Sequence, residues 1–204
     1  MLYAVTDGRA DLESAIEAAL RGGATMIQLR EKHLEDARLL TLARAVKEIA
    51  DRFGVPLIIN DRADIAQAVG AAGAHLGSSD GDLRTARTLL GPDGILGATA
   101  RSVEQALAAE AAGADYLGSG AVFGSPTKAD AVPMSLALFS EICSAVKIPV
   151  VAIGGIDRLN IDRLRGCGMA GFAVVSGIFG APDIEQAARE LRKIAEDIVC
   201  PKSN

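Results

Sequence analysis

The sequence predicts an α/β fold, a single-domain (β/α)8 barrel of the TIM type. Eight short apolar runs alternate with Ala-, Glu- and Arg-rich segments of helical spacing, as expected when each strand of a closed parallel barrel is followed by a helix. The runs begin roughly 18 to 33 residues apart, about the length of one strand and one helix. A doubly wound open sheet is disfavoured because residues 6–9 lack its Gly-x-Gly-x-x-Gly turn. We assign residues 1–199 to the barrel and 200–204 to a C-terminal tail.

Each predicted strand is an apolar run that ends on a small or polar residue. The eight predicted strands are residues 2–7, 25–32, 56–61, 74–80, 95–99, 115–119, 148–155 and 171–176. In a barrel the carboxyl ends of all strands open into one shared mouth. Residues far apart in the sequence are therefore expected to converge there.

The predicted helices carry apolar residues near the 3.6-residue period. They are residues 12–21, 34–53, 63–69, 83–90, 103–112, 135–146, 161–166 and 184–199. Ser102 with Gln105 predicts a capping box, and Asp183 predicts an N-cap for the last helix. Glycines at four joints between a helix and the next strand are predicted in the left-handed C′ position, namely Gly23, Gly73, Gly113 and Gly168.

Composition and charge exclude several classes of partner. Hydrophobic residues make up 50% of the chain and aromatic residues 3%, so the core must consist of Ala, Val, Ile and Leu. The net charge of -5 argues against nucleic acid, and no apolar run approaches the ~20 residues that cross a bilayer. The first residues lack the features of a signal peptide. Because Cys143, Cys167 and Cys200 lack Cys-x-x-Cys spacing, we expect a reduced cytoplasmic protein.

Glycine-rich ends of the last two strands predict a phosphate site. The seventh run ends at residues 153–156 and the eighth at 175–177, each with glycine. In many barrels the loops at these two positions bind phosphate through backbone N–H groups. The alternative is that both segments are only tight turns.

The end of the second strand carries alternating polar and charged residues. Gln28, Arg30 and Lys32 share one side of the strand, where an Arg fork and a mobile Lys suit a ligand with several anionic oxygens. The alternative is a solvated helix start in which Glu31 pairs locally.

Two aspartates follow neighbouring strands. Asp61 and Asp80 lie at the ends of the third and fourth runs, and two carboxylates beside a phosphate site suit Mg²⁺. The alternative is that Asp61 and Asp80 cap the following helices. His75 lies within an apolar strand and is expected to be a hydrogen-bonded structural residue.

The segment after the sixth strand, residues 118–130, is a long loop with glycines, hydroxyls and Lys128. Long loops in compact barrels are usually functional, so Lys128 could enter the mouth as a cation. The alternative is an ordinary surface turn.

Taken together, these strand ends resemble the thiamine-phosphate synthase family over essentially the whole chain. The matching segments are residues 3–7, 28–32, 60–62, 75–77 with Asp80, 126–128 with Asp130, 152–156 and 174–176. Four positions depart from the pattern of many members: Ser78 for Gln, Ser79 for an acidic residue, Thr99 for Ser, and Arg101 near the place of a His.

The resemblance implies the joining of hydroxymethylpyrimidine pyrophosphate to hydroxyethylthiazole phosphate, giving thiamine phosphate and pyrophosphate. The implied reaction is dissociative and assisted by Mg²⁺, with Asp61 and Asp80 as metal ligands and with Arg30 and Lys128 stabilising the leaving pyrophosphate. The residues implied to bind the pyrimidine pyrophosphate are Gln28, Leu29, Arg30, Glu31, Lys32, Asn60, Thr99 and Lys128. Those implied to bind the thiazole phosphate are Ser125, Pro126, Thr127, Gly155, Val175 and Ser176.

Two other functions fit parts of the pattern. A thiazole tautomerase would use the thiazole phosphate site but has little need for a metal pair. A non-catalytic barrel that binds a phosphorylated ligand would tolerate the departures at Ser78 and Arg101. The expected partners are two small phosphorylated substrates, without nucleic acid or membrane, and the sequence leaves open whether the chain forms a homo-oligomer.

Overall fold

A computed structural model describes residues 1–77, 80–124 and 133–199 of the chain. Eight parallel strands form a closed barrel in sequence order, and β1 pairs with both β2 and β8. This confirms the predicted fold class. The strands are β1 Leu2–Val5, β2 Met26–Leu29, β3 Leu57–Asn60, β4 Gly73–Leu76, β5 Ile95–Thr99, β6 Tyr116–Gly120, β7 Val150–Ile153 and β8 Gly171–Val174.

Helices surround the barrel. The described helices are α1 Leu12–Arg21, α2 Asp36–Arg52, α3 Ala63–Val69, α4 Leu83–Leu90, α5 Val103–Ala111, α6 Leu136–Ala145, α7 Ser176–Phe179 and α8 Ile184–Val199, with a 3₁₀ turn at Ile161–Leu164. In the described part of the chain, no helix combines the length and apolarity needed to cross a membrane.

Most predicted elements are confirmed, and the differences have local causes. Segment 161–166 was expected to be an α-helix but forms only the short 3₁₀ turn, and the four-residue helix α7 was not predicted. Gly73 is not a helix C′ residue, because it lies inside β4, where a Cβ atom would overlap the Ile95 carbonyl. The other three glycines at the joints do have positive φ angles.

The predicted helix caps are largely present. Ser102 Oγ accepts from Gln105 N (3.2 Å), whereas Gln105 Oε1 accepts from Arg101 N (2.8 Å), one residue earlier than a capping box requires. Asp183 Oδ1 accepts from Gln186 N (2.9 Å), which confirms its capping role for α8.

The apolar core has two layers, because successive strand residues face opposite sides. Leu2 and Ala4 of β1 face outward and pack with the buried faces of the helices, such as Ile16 of α1. Tyr3 and Val5 face the barrel interior. Full burial of one such aliphatic side chain stabilises the fold by about 1.5–3 kcal/mol. The inner layer leaves space towards the carboxyl ends of the strands, where the site lies.

Candidate active site

A cavity of about 190 Å³ opens at the carboxyl ends of the strands and continues into the barrel between the inward-facing side chains. The predicted site residues that line it are Gln28, Arg30, Lys32, Asn60, Asp61, Asp80, Thr99, Gly155, Val175 and Ser176. The fold therefore brings together residues from at least six strands, as the barrel prediction requires.

At the end of β2, only alternate residues reach the cavity. Gln28, Arg30 and Lys32 line it, whereas Leu29 is 1% exposed and packs in the outer core layer. Glu31 lies on the other side as well, beside Gly8 of the β1–α1 loop. The side chains of Leu29 and Glu31 therefore do not take part in lining the cavity, because strand alternation turns them away.

Among the residues that the structure describes, Glu31 has no partner for the local ion pair that the alternative interpretation required. Its Oε1 atom is buried and has no hydrogen-bond partner among the described residues. Burial raises the pKa of Glu31, the charge of Asp7 raises it further, and Arg30 acts in the opposite direction.

The buried residue Thr6 fixes the backbone that carries Arg30. Arg30 N donates to Thr6 Oγ1 (2.9 Å), and Thr6 N donates to the Gln28 carbonyl (3.0 Å). These bonds continue the pairing of β1 and β2 beyond the end of both strands. Thr6 is fully buried and thus holds the start of the Arg30 side chain at a defined place.

The carboxylates of Asp61 and Asp80 are not helix caps. Arg62 is the N-cap residue of α3 and makes no side-chain capping bond, and α4 is capped by Asp82, which accepts from Thr85 N (2.9 Å). Asp80 Oδ2 instead accepts from Gly77 N (2.9 Å). The capping alternative is therefore wrong for both aspartates.

Asp61 and Asp80 form a close carboxylate pair at the cavity wall. Burial raises the pKa of Asp61 to about 6, with further contributions from its hydrogen bond to Asp80 and from the Asp80 charge. The positive charges of Lys32 and Arg30 lower it in part. Asp61 also has a left-handed φ of 64°, which is uncommon for a residue other than glycine and is enriched at functional sites.

The donor set of this pair fits a magnesium ion better than a zinc ion. Two carboxylates that share a proton can exchange it for a divalent cation, and Mg²⁺ takes few protein ligands and completes its shell with water and phosphate oxygens. Zinc sites need three or four protein ligands. Within residues 1–77, 80–124 and 133–199, no group of three or more His, Cys, Asp or Glu side chains could hold a metal.

His75 is a hydrogen-bonded structural residue, as the sequence predicted. Its ring lies 3.0 Å from Tyr116 Oη through Nδ1 and 3.1 Å from Thr99 Oγ1 through Nε2. Burial lowers the pKa of His75 to about 4, so the ring is neutral at neutral pH.

Sequence reasoning missed Tyr3 and Tyr116, which line the same cavity. They are the two tyrosines of the chain, and each occupies an inward-facing position of an apolar strand. A buried tyrosine usually needs a partner for its hydroxyl group. Two tyrosines at such positions were therefore a signal for a polar group inside the barrel.

The ends of β7 and β8 contribute backbone and small side chains to the cavity. Gly154 and Gly155 have φ angles of 105° and 63°, and a Cβ atom on Gly155 would lie 2.7 Å from the Phe123 carbonyl oxygen. Tight packing against this neighbouring segment is thus sufficient reason for glycine at both positions. Helix α7 begins at Ser176, and the first N–H groups of a helix have no intrahelical acceptor.

Some predicted site residues lie outside the described residues. These are Ser125, Pro126, Thr127 and Lys128, together with Ser78, Ser79, Asp130, Cys200 and the tail 200–204. Arg101, a departure from the family pattern, is described and lines the cavity.

Comparison with known proteins places this geometry in a family. The family model described as thiamine monophosphate synthase matches residues 2–178. Thiamine-phosphate synthase 2 of Streptococcus pneumoniae serotype 4 is 47% identical over 202 residues, covering 97% of this chain and 96% of that protein. The thiamine-phosphate synthase of Clostridium tetani is 45% identical over 195 residues, covering 93% of each chain.

A solved structure agrees with these relatives. Thiamine phosphate pyrophosphorylase from Pyrococcus furiosus superposes with a TM-score of 0.91 at 39% identity, covering 97% of this chain and 96% of that one. The family model, the relatives and the structure all span nearly the whole barrel, including the strand ends that form the cavity. The chain belongs to the thiamine monophosphate synthase family.

Proposed function

We propose that the chain joins hydroxymethylpyrimidine pyrophosphate to hydroxyethylthiazole phosphate, forming thiamine phosphate and releasing pyrophosphate. Family membership gives the chain the role of a transferase in thiamine biosynthesis. The two substrates and the course of the reaction are the proposed part. The observation that carries it is the Asp61–Asp80 pair lying in one cavity with Arg30 and Lys32, a cavity that the uncharged ends of β7 and β8 also line.

The proposed reaction is dissociative. The C–O bond to pyrophosphate breaks first, and its electron pair leaves with the pyrophosphate oxygen. The resulting pyrimidine-methyl cation is stabilised by the electron-rich aminopyrimidine ring and is then captured by the thiazole nitrogen. Such a course needs no strong protein nucleophile. It needs groups that stabilise negative charge as it grows on the leaving group, which suits a site rich in cations.

Arg30 and Lys128 are the proposed catalytic residues. The guanidinium group of Arg30 can bind two oxygens of the pyrophosphate, and the ammonium group of Lys128 can act as a mobile point charge. Gln28, Lys32, Asn60 and Thr99 line the cavity with Arg30 and would position this substrate. Removing one donor of this type typically costs about 3–4 kcal/mol of transition-state stabilisation.

Asp61 and Asp80 would hold Mg²⁺ beside the pyrophosphate. When bound, the ion would supply positive charge to the leaving group. The charges of Asp61 and Asp80 would otherwise repel the substrate, so their presence at this end of the cavity favours a metal-dependent site.

The thiazole phosphate would bind at the ends of β7 and β8. Gly155, Val175 and Ser176 line this part of the cavity, and the start of α7 can offer N–H groups to an anion. Ser125, Pro126 and Thr127 complete the proposed site. Holding the two substrates together would bring the thiazole nitrogen within attack distance of the cation.

The decisive experiment combines the protein with both substrates and Mg²⁺ and measures thiamine phosphate and pyrophosphate. We expect both products in equal amounts, and no product when Mg²⁺ is chelated or either substrate is omitted. Isomerisation of the thiazole compound alone would favour a tautomerase. Tight binding of the substrates without pyrophosphate release would favour a binding protein.

A further inference from the structure

A chain of hydrogen bonds crosses the barrel interior and forms part of the cavity wall. Gln28 Nε2 donates to Tyr3 Oη (2.7 Å), and Tyr3 Oη lies 2.9 Å from Tyr116 Oη. Tyr116 Oη lies 3.0 Å from His75 Nδ1, and His75 Nε2 lies 3.1 Å from Thr99 Oγ1. The hydrogen-bond chain thus links side chains of five strands, from Gln28 at one end to Thr99 at the other, and all five residues line the cavity.

Neighbouring strands leave room for this chain of side chains. A Cβ atom at Gly97 of β5 would overlap both the Tyr116 ring and His75 Nδ1. At Gly118 of β6 it would lie 3.0 Å from His75 Cε1. The Tyr3 and Tyr116 rings meet edge to face, with centroids 6.0 Å apart. The absence of side chains at Gly97 and Gly118 therefore leaves space for the Tyr116 and His75 rings.

The number of protons fixes the direction of the chain. The Gln28 NH₂ group only donates, so Tyr3 Oη accepts there and gives its single proton to Tyr116 Oη. Tyr116 in turn gives its proton to His75 Nδ1, which leaves the ring proton on Nε2, where it donates to Thr99. The opposite orientation of Tyr116 would leave the buried Tyr3 proton without an acceptor, which costs about 1–3 kcal/mol.

We propose that Tyr3, Tyr116 and His75 are positioning residues that fix the hydrogen-bonding pattern at the two ends of the chain. Thr99 Oγ1 accepts from His75, so its own proton is directed to an acceptor on the ligand. Gln28 uses Nε2 towards Tyr3, so Oε1 is presented as an acceptor for a donor group on the ligand. Gln28 and Thr99 thereby select for ligands with the complementary pattern.

The part of this proposal that concerns the ligand rests on the proposed function, whereas the tautomer of His75 does not. The protein contains two histidines, and His33, which is not part of the hydrogen-bond chain, serves as an internal reference. We would measure ¹⁵N chemical shifts and long-range ¹H–¹⁵N couplings of the histidine rings in the full-length protein at neutral pH without substrate. We expect His75 to be the Nε2–H tautomer, and an Nδ1–H tautomer would overturn the proposal.

Tyr116→Phe tests whether the chain sets this tautomer. Without the Tyr116 hydroxyl, Nδ1 loses its donor, so we expect His75 to become a mixture of tautomers. Ser119→Ala is the matched control, since it removes another buried hydroxyl of β6. The Ser119 hydroxyl donates to the Ala100 carbonyl and is not part of the hydrogen-bond chain. The control should keep the Nε2–H tautomer. If Tyr116→Phe does not fold, Tyr3→Phe is the second variant: it removes the hydroxyl that orients the Tyr116 hydroxyl, so His75 should again become a mixture of tautomers.

Kinetics distinguish positioning from general support of the fold. With both substrates, we expect Tyr116→Phe to lower kcat/KM about tenfold, the effect of one lost hydrogen bond of about 1.4 kcal/mol. If the tyrosine acts through Thr99, adding Tyr116→Phe to Thr99→Val should cause little further loss. Full additivity of the two changes would overturn the proposal. A wild-type protein without turnover would refute the proposed function and leave the tautomer experiment intact.

Discussion

The two halves of the barrel mouth differ in the groups that they offer to an anionic ligand. The half formed by β2, β3 and β4 carries full charges on Arg30, Lys32, Asp61 and Asp80. Among the described lining residues, the half formed by β7 and β8 offers only uncharged groups, including Gly155 and Ser176. Under the proposed reaction, charge grows on the pyrophosphate but not on the thiazole phosphate. Full charges are thus placed where they can act in the transition state, and neutral donors where binding alone is needed.

The largest effect is expected from removing one carboxylate of the Asp61–Asp80 pair. Asp61→Ala should lower turnover at least ~100-fold, because the leaving group loses the positive charge of a metal ion, and loss of one such electrostatic contact costs ~10²–10³ in rate. A second readout is thermal unfolding, since Mg²⁺ should raise the melting temperature of the wild-type protein but not of the variant.

Asp82→Ala is the control for this prediction. Asp82 lies two residues from Asp80, but it caps α4 and does not line the cavity. Its loss should cost about 1 kcal/mol of stability and leave the Mg²⁺ response in place. A near-wild-type rate for Asp61→Ala would contradict the metal site.

Lys128→Ala should also lower turnover at least ~100-fold, because it removes a donor to the leaving pyrophosphate. Lys147→Ala removes a lysine close to the amino end of β7, remote from the mouth, and should have little effect. Steady-state kinetics with both substrates would measure the difference. Equal rates for the two variants would assign the residue 128 segment to the surface turn that the sequence left as an alternative.

The charged half of the mouth could be predicted in detail because strand alternation depends on sequence spacing alone. Gln28, Arg30 and Lys32 line the cavity for this reason, and the same rule turns Leu29 and Glu31 away from it. Matching the family motif without this rule assigned all five residues to the substrate. The sequence could not decide whether Asp61 is a cap, because capping depends on backbone angles, and its φ of 64° is not encoded in any local pattern.

The other half depends on packing between distant segments, which spacing does not reveal. Glycine at 155 was predicted from its expected phosphate contact, yet the close approach of Phe123 already requires it. The helix at Ser176 is too short to show a period. Tyr3 and Tyr116 looked like ordinary apolar strand residues, since their hydroxyl partners come from strands far away in sequence.

A smaller effect is expected from Thr6→Val, which keeps the shape of the side chain but removes the acceptor for Arg30 N. Loss of this bond should loosen the end of β2 and lower kcat/KM about tenfold, a cost of about 1–1.5 kcal/mol. Thr88→Val is the control, since Thr88 Oγ1 donates to the Arg84 carbonyl on the outside of α4. If both variants are equally active, Thr6 does not position Arg30.

The smallest expected effect is a several-fold change in KM with salt concentration. The salt dependence of the KM for each substrate compares the two halves of the mouth directly. Between about 0.05 M and about 0.5 M salt, screening weakens interactions between full charges far more than hydrogen bonds to neutral backbone groups. The KM for the pyrimidine pyrophosphate should therefore rise several-fold, and the KM for the thiazole phosphate should rise clearly less. The measurement varies one substrate at saturating concentrations of the other and of Mg²⁺.

Equal salt dependence would mean that the β7–β8 half also uses a full charge. In that case Lys128 would be the first residue to test, because it follows β6 in the sequence and β6 pairs with β7.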